Sequence, residues 1–321
     1  MLQLTVQVWR PRLWRPNKAH RLMTAMKRRL TISFLIGALS SLWCGAILTR
    51  NHQGAADFQW CIRLAQHLLS KQPPYDTPME QYPPPVALLG LPFVAVRGEI
   101  AGALFFGISS GLLAFGLTRD GYTRLLIFLA YPYWAAMVTA QWSPLIAASA
   151  FFWWLMPVVL IKPPIALPVA LTHLSRRGII ACAALLALSF AITPSWFWQW
   201  PHQLGEYHHF IPLLVFPGML ILLALLRLRD NDARLLLLAA AFPQRWFYDA
   251  FILWLIPKSR REIVASVGAS WLVGLWRWSH PPLSFAQVGR WSVVGFYLPM
   301  LVITLLRRGP ARPSLALRSK S

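Results

Sequence analysis

At 321 residues, 57% hydrophobic and only 13% charged, the chain carries too little polar surface for a soluble globular class and reads as an all-α polytopic membrane protein with one domain. A formal net charge of +21 raises nucleic acid as a partner. The Lys and Arg are spread between apolar runs, however, not gathered in one patch with interleaved aromatics, so retention of cytoplasmic loops explains them and no nucleic acid is expected.

Residues 1–29 form a basic segment without acid, with Met23 and Met26 as alternative starts. Thr31–Thr49 follows, apolar and close to the roughly 20 residues a bilayer core requires. The stretch from Arg50 to Val86 is the longest polar interruption and holds three of the ten acids, Asp57, Asp76 and Glu80. Within it Phe58, Cys61, Ile62, Ala65, Leu68 and Leu69 recur at helical spacing against Gln59, Arg63, Gln66 and His67, which predicts an amphipathic helix lying on the membrane surface. Pro73-Pro74 ends it, and Gln81-Tyr82-Pro83-Pro84-Pro85 is a stiff, extended lead into the next apolar run.

Candidate spans then run over 86–96, 100–117, 124–140, 144–161, 163–174, 178–192, 211–226, 234–242, 247–256, 263–278 and 291–306. Several are short and bounded by proline, a pattern of broken or re-entrant helices lining a cavity. Twelve crossings with the N-terminus inside, or ten with one re-entrant hairpin, place the basic excess on the inner face. Arg97 and the basic tail 307–321 are then inside, Arg119 and Arg124 outside, and 30–306 is the transmembrane domain. Asp57, Lys162, Trp196, Trp198, Trp200, Arg245 and Asp249 fall together outside, while Gln141 falls inside.

Asp57 stands at the first turn of the surface helix, where a carboxylate caps free backbone N–H groups or does chemistry. Lys162, before Pro163-Pro164, is either a snorkelling anchor or a compact cation for a phosphate, and Arg245 offers planar donors for the same group. Asp249 is spaced four residues from Arg245 for pairing on one helix face, with sugar binding as the alternative. Trp196, Trp198 and Trp200 suit an interfacial belt, with stacking on a sugar or flanking a lipid chain as the alternative. His202, His208 and His209 lack a further ligand, and Cys44, Cys61 and Cys182 lack metal or disulfide spacing, so no metal and no cofactor are expected.

The order of an apolar first span, Ala56-Asp57-Phe58-Gln59-Trp60, a short amphipathic helix, Pro74-Tyr75, Gln81-Tyr82-Pro83-Pro84-Pro85 and an apolar run resembles the polyprenyl-phosphate-sugar-dependent mannosyltransferases of glycosyltransferase family 87, in the membrane GT-C class. Ala140-Gln141 is similar to that family's Gly-Gln, Ile161-Lys162-Pro163 to its Lys-Pro, and Tyr248-Asp249 is a weaker echo. The resemblance covers roughly 30–164. It implies a GT-C-like bundle of 10–12 transmembrane helices in a bacterial inner membrane, with the active site on the periplasmic face. Asp57 would be the general base of an inverting, metal-independent transfer from a polyprenyl-phosphate sugar to a glycan or glycolipid acceptor. Lys162 and Arg245 would bind the donor phosphate, with Gln81, Tyr82, Gln141 and Asp249 as weaker substrate contacts. A transporter or flippase of lipid-linked sugars, or an inactive relative, would carry many of the same features.

Overall fold

The computed structural model describes residues 18–75, 82–203, 208–280 and 283–307. Asp76, Glu80, Gln81, most of the basic N-terminal segment and nearly all of the tail lie outside the described residues. Among those described the chain is all-helical, and no strand forms beyond one isolated antiparallel bridge between Phe210 and Gln244. Three helices are long and apolar enough to cross a membrane: Met23–Arg50 within α1 (Lys18–Arg50), α3 (Gly98–Leu117) and the bent run Phe285–Leu306. The pair Arg176–Ile192 and Trp196–His202, bent by 92°, makes a fourth if counted as one span.

Helices α1 and α3 pack antiparallel along their length. A Cβ on Gly37 would lie 2.9 Å from the Gly107 carbonyl oxygen, and one on Gly107 2.7 Å from that of Gly37, so glycine is what lets the two backbones approach. The pair defines two ends of the bundle. At one, Gly98 and Gly102 lie against the backbone of Ala55. At the other, Arg29 donates to Thr118 Oγ1 at 3.1 Å and to the Phe115 carbonyl at 2.9 Å.

The amphipathic helix forms as α2 (Gln59–Ser70), burying Cys61, Ile62, Leu64 and Ala65. It ends at Lys71, whose left-handed φ of 56° turns the chain just before the prolines.

Two expectations about the path fail, and the failures offset each other. Residues 86–96 do not run from end to end. They break into the short turns Pro84–Val86, Ala87–Gly90 and Leu91–Phe93 laid against α2, with Gly90 pressed on the Cys61 carbonyl. Three prolines from Pro83 and another at Pro92 deny this run a continuous ladder. Arg97 therefore lies at the Asp57 end, and Arg119 and Arg124 at the Arg29 end, each opposite to the expectation.

Residues 144–161, expected as one crossing, form a hairpin. Ser143–Ala148 leads away from the Asp57 end. Phe151 then packs on Gly116 and accepts from Arg119 at 3.0 Å, and Trp153–Leu160 returns to Lys162. A uniformly apolar run carries no polar mark at the turn, so nothing in it announces the reversal. Gln141 consequently belongs to the Asp57 end, and the chain from Lys162 onward regains its expected orientation.

Tyr122–Leu129, Trp153–Leu160, Gly218–Arg227 and Phe247–Leu255 are wound as 3₁₀ helices. Rising about 2.0 Å per residue instead of about 1.5 Å, they reach further than α-helices of the same length.

The Arg29 end is closed by charge. Arg124, buried, donates to the carbonyls of Leu255 at 3.2 Å and Pro257 at 2.5 Å. Arg307 takes the Ile256 carbonyl between them at 2.9 Å and pairs with Asp232 at 2.5 Å and Glu262 at 2.9 Å. The carbonyls left open at the end of Phe247–Leu255 are thereby satisfied. Burial alone would raise the Glu262 carboxyl, but the Arg307 hydrogen bond and the N–H groups of Lys258 and Ser259 outweigh it and hold it below the usual glutamate range.

Candidate active site

Asp57 is delivered by a tightly turned loop. His52, Gly54 and Ala56 all take left-handed backbone conformations, and Asp57 sits in the single 3₁₀ turn Ala56–Phe58. Its own N–H donates to the Thr139 carbonyl at 3.2 Å. The neighbouring Phe58, fully buried, stacks on Phe105 at 4.3 Å and meets Trp142 at 6.3 Å, which fixes the turn on the bundle. No side-chain cap is made at the start of α2, so the capping role does not account for Asp57.

The carboxylate turns inward instead. Its Oδ2 accepts from the Tyr82 hydroxyl at 2.6 Å and from Lys162 Nζ at 3.4 Å. Lys162 also donates to Gln141 Oε1 at 2.8 Å, and its ammonium stands 5.8 Å and 5.6 Å from the ring centroids of Tyr82 and Tyr248. The Asp57 and Lys162 side chains are only 15% and 11% exposed, which an anchor reaching for the interface would not be. Burial, then the charge of Asp57 and its hydrogen bond, push the Tyr82 phenol well above its usual range, so it stays protonated and donates.

Gln141 reaches this cluster because Ala140 holds a left-handed φ of 48° at the end of Tyr131–Val138, while Trp142 buries beside Phe58 and Tyr82. That conformation favours glycine. Ala140 holds it without glycine's freedom, so the site carries backbone strain.

Arg245 and Asp249 do not pair as spaced. The helix begins only at Phe247, so Arg245 precedes it. Asp249 Oδ2 accepts the backbone N–H of Arg245 at 2.7 Å and of Trp246 at 3.4 Å, fixing the chain that presents Arg245. Its Oδ1 is buried without a hydrogen-bond partner among the described residues. Ser143 donates to the Tyr248 carbonyl at 2.7 Å, tying this segment to the hairpin.

Two cavities meet at Asp57, Arg245 and Tyr248. One, of about 280 Å³, is also lined by Tyr82, Lys162, Trp200 and His209. The other, of about 430 Å³, is also lined by Trp60, Thr139, Gln141, Trp246 and Phe285. The structure thus brings together Asp57, Tyr82, Gln141, Lys162 and Arg245, sets Asp249 behind them as a backbone clamp, and leaves Gln81 outside the described residues. Sequence reasoning missed Trp246 and Phe285, and gave Trp60 and Tyr248 no role of their own. Of the two roles weighed for Trp200, its place in the wall beside Lys162 fits contact with a bound group; only the neighbourhood of Asp249 pointed to Tyr248. Among the described residues no three His, Cys, Asp or Glu side chains gather closely enough to hold a metal ion. No family model, no curated protein and no solved structure matches this chain.

Proposed function

We propose that the protein is a multi-pass inner-membrane glycosyltransferase of bacterial type, moving a sugar from a polyprenyl phosphate to a glycan or glycolipid acceptor at the periplasmic end. The observation that carries this reading is the ion pair of Asp57 and Lys162 at the junction of two cavities, one richer in cations and one richer in aromatic and amide groups. In this reading the donor phosphate occupies the smaller cavity near Lys162 and Arg245, and the acceptor hydroxyl approaches from the larger. The acceptor oxygen bonds to the sugar carbon as the carbon–phosphate oxygen bond breaks. The electron pair goes to the phosphate, and the acceptor proton goes to Asp57. Lys162 and Arg245 offset the charge growing on the leaving phosphate, which needs no proton of its own.

In this reading each traverse, with the hairpin counted as two and 86–96 as none, makes twelve passages among the described residues, with the start of α1 and Arg307 both at the Arg29 end. The corrected path moves two arginines to that basic end and one away from it, which favours its being cytoplasmic. A flippase needs a route onward to that end, where Arg124 and Arg307 close the carbonyl terminus of Phe247–Leu255.

Radiolabelled transfer from synthetic polyprenyl-phosphate donors by purified protein tests the reading. Asp57→Asn should cut transfer by roughly 10²–10⁴-fold in chelator-treated protein that is still folded in detergent. Equal transfer by the two forms would sink the role of Asp57. Inert wild type with labelled lipid crossing proteoliposome membranes would favour transport.

A further inference from the structure

Between α1 and α3, away from the catalytic end, runs an open apolar groove of about 640 Å³. Its α1 wall is Leu30, Ser33, Phe34, Ala38 and Leu42, and glycines at Gly37, Gly107 and Gly111 form its floor. Phe34 and Leu42 are among the most exposed large apolar side chains of the molecule, so the groove faces outward and is not filled from within. Two features separate it from a plain lipid-facing surface.

The first is charge at one end. Lys27 lies on the continuation of the groove stripe, at i, i+3 and i+7 from Leu30 and Phe34, and is exposed. Arg28, also exposed, sits over the Tyr122 ring at 4.5 Å, and Arg29 closes the end wall through Phe115 and Thr118. Helix α1 itself contains no acid, and the facing turn carries one, the exposed Asp120, between Thr118 and Tyr122.

The second is Ser33, a lining residue of the groove only 5% exposed, whose Oγ is buried and has no hydrogen-bond partner among the described residues. A buried hydroxyl left unpaired is unfavourable unless an acceptor arrives from outside the chain. Ser33 stands one helical turn, about 6 Å, deeper than Arg29. A glycerolipid carries its ester carbonyls at such a depth below its phosphate.

We infer that this groove binds one anionic diacyl phospholipid, with its phosphate at Lys27, Arg28 and Arg29, an ester carbonyl accepting from Ser33, and an acyl chain lying over Gly37 and Ala38. The inference is independent of the transfer reading and concerns the opposite end of the molecule. It makes the lipid a resident part of the α1–α3 pair, held by a basic pocket between helices.

Native mass spectrometry of purified protein with added phosphatidylglycerol, phosphatidylcholine of the same chains and the diether analogue of phosphatidylglycerol tests it. Wild type should retain one phosphatidylglycerol about tenfold better than phosphatidylcholine, and better than the diether. Lys27→Gln with Arg28→Gln should erase the headgroup preference. Ser33→Ala should keep that preference and erase the ester-over-ether difference. Ala38→Phe, which fills the groove, should weaken retention of every lipid. Equal retention of all three lipids by wild type would overturn the proposal, as would a second copy of the chain occupying the groove. Both readouts use wild-type protein, so an unstable variant leaves the proposal open to refutation.

Discussion

At the Arg29 end, Arg307 joins Asp232, Glu262 and the Ile256 carbonyl, and Arg124 takes the carbonyls on either side through its two terminal nitrogens, so that two of the scarce acids are held in ion pairs. Arg124 Nε and Ser33 Oγ are nonetheless buried without partners among the described residues. At the Asp57 end the same currency of groups is left incomplete. Asp249 Oδ1, Gln244 Oε1 and the indole N–H of Trp142 are buried without partners among the described residues, and two alanines next to Asp57 and Gln141 sit in left-handed conformations. A folding chain has no reason to keep such a region unless something outside it supplies the missing contacts. The ends differ in kind: ion pairs gather at the Arg29 end, while the left-handed alanines and most of these open polar groups gather around Asp57.

The sharpest way to break that contrast is to remove one cation from each end. Lys162→Ala should lower transfer per folded molecule by about 100-fold, mainly by raising the donor concentration required, at some cost in stability because Asp57 loses its partner; unchanged donor dependence would return Lys162 to a structural role. Arg307→Ala should do the reverse, lowering stability by about 2 kcal/mol in chemical or thermal melts while transfer per folded molecule is unaltered. Loss of transfer in that variant at full stability would erase the division of labour.

Strain offers a gentler probe. Ala140→Gly relieves a left-handed alanine and should raise stability by about 0.5–1 kcal/mol, a change whose absence in melting experiments would argue that the conformation is not strained. The smallest expected effect is on acid sensitivity. Because Glu262 is held below its usual range in the folded state, its contribution is present above the unfolded value and is lost as pH falls through the folded one. Stability should therefore decline below about pH 4, and Glu262→Gln should flatten that limb of the pH–stability curve. An unaltered limb would assign it to other carboxylates.

The surface helix, its proline stop and the polarity of the Asp57 end were readable because they depend on local spacing, turn chemistry and charge counting. Asp57 and Lys162 stood out because isolated charges among apolar runs are conspicuous. The hairpin at 143–160 was not readable, since its turn is made of residues as apolar as its arms, and the folded-back 86–96 run looked like a short crossing for the same reason. Gln141 was assigned to the wrong end as a direct result. Trp246 and Phe285 come to the site from distant parts of the chain and carry no local mark of their destination.

The 3₁₀ run Gly218–Arg227 exposes Met219, Leu220, Leu222, Leu223, Leu225 and Leu226 on the outside of the bundle. Ten residues at about 2.0 Å each make an apolar wall about 20 Å tall, against a hydrocarbon core of about 30 Å, whereas the 20 residues of α3 span about 30 Å. The apolar wall is therefore shorter on this flank than along α3. A bilayer around such a flank thins or the protein tilts, at fractions of a kcal/mol per Å, so shorter-chain lipids are expected to suit this side better.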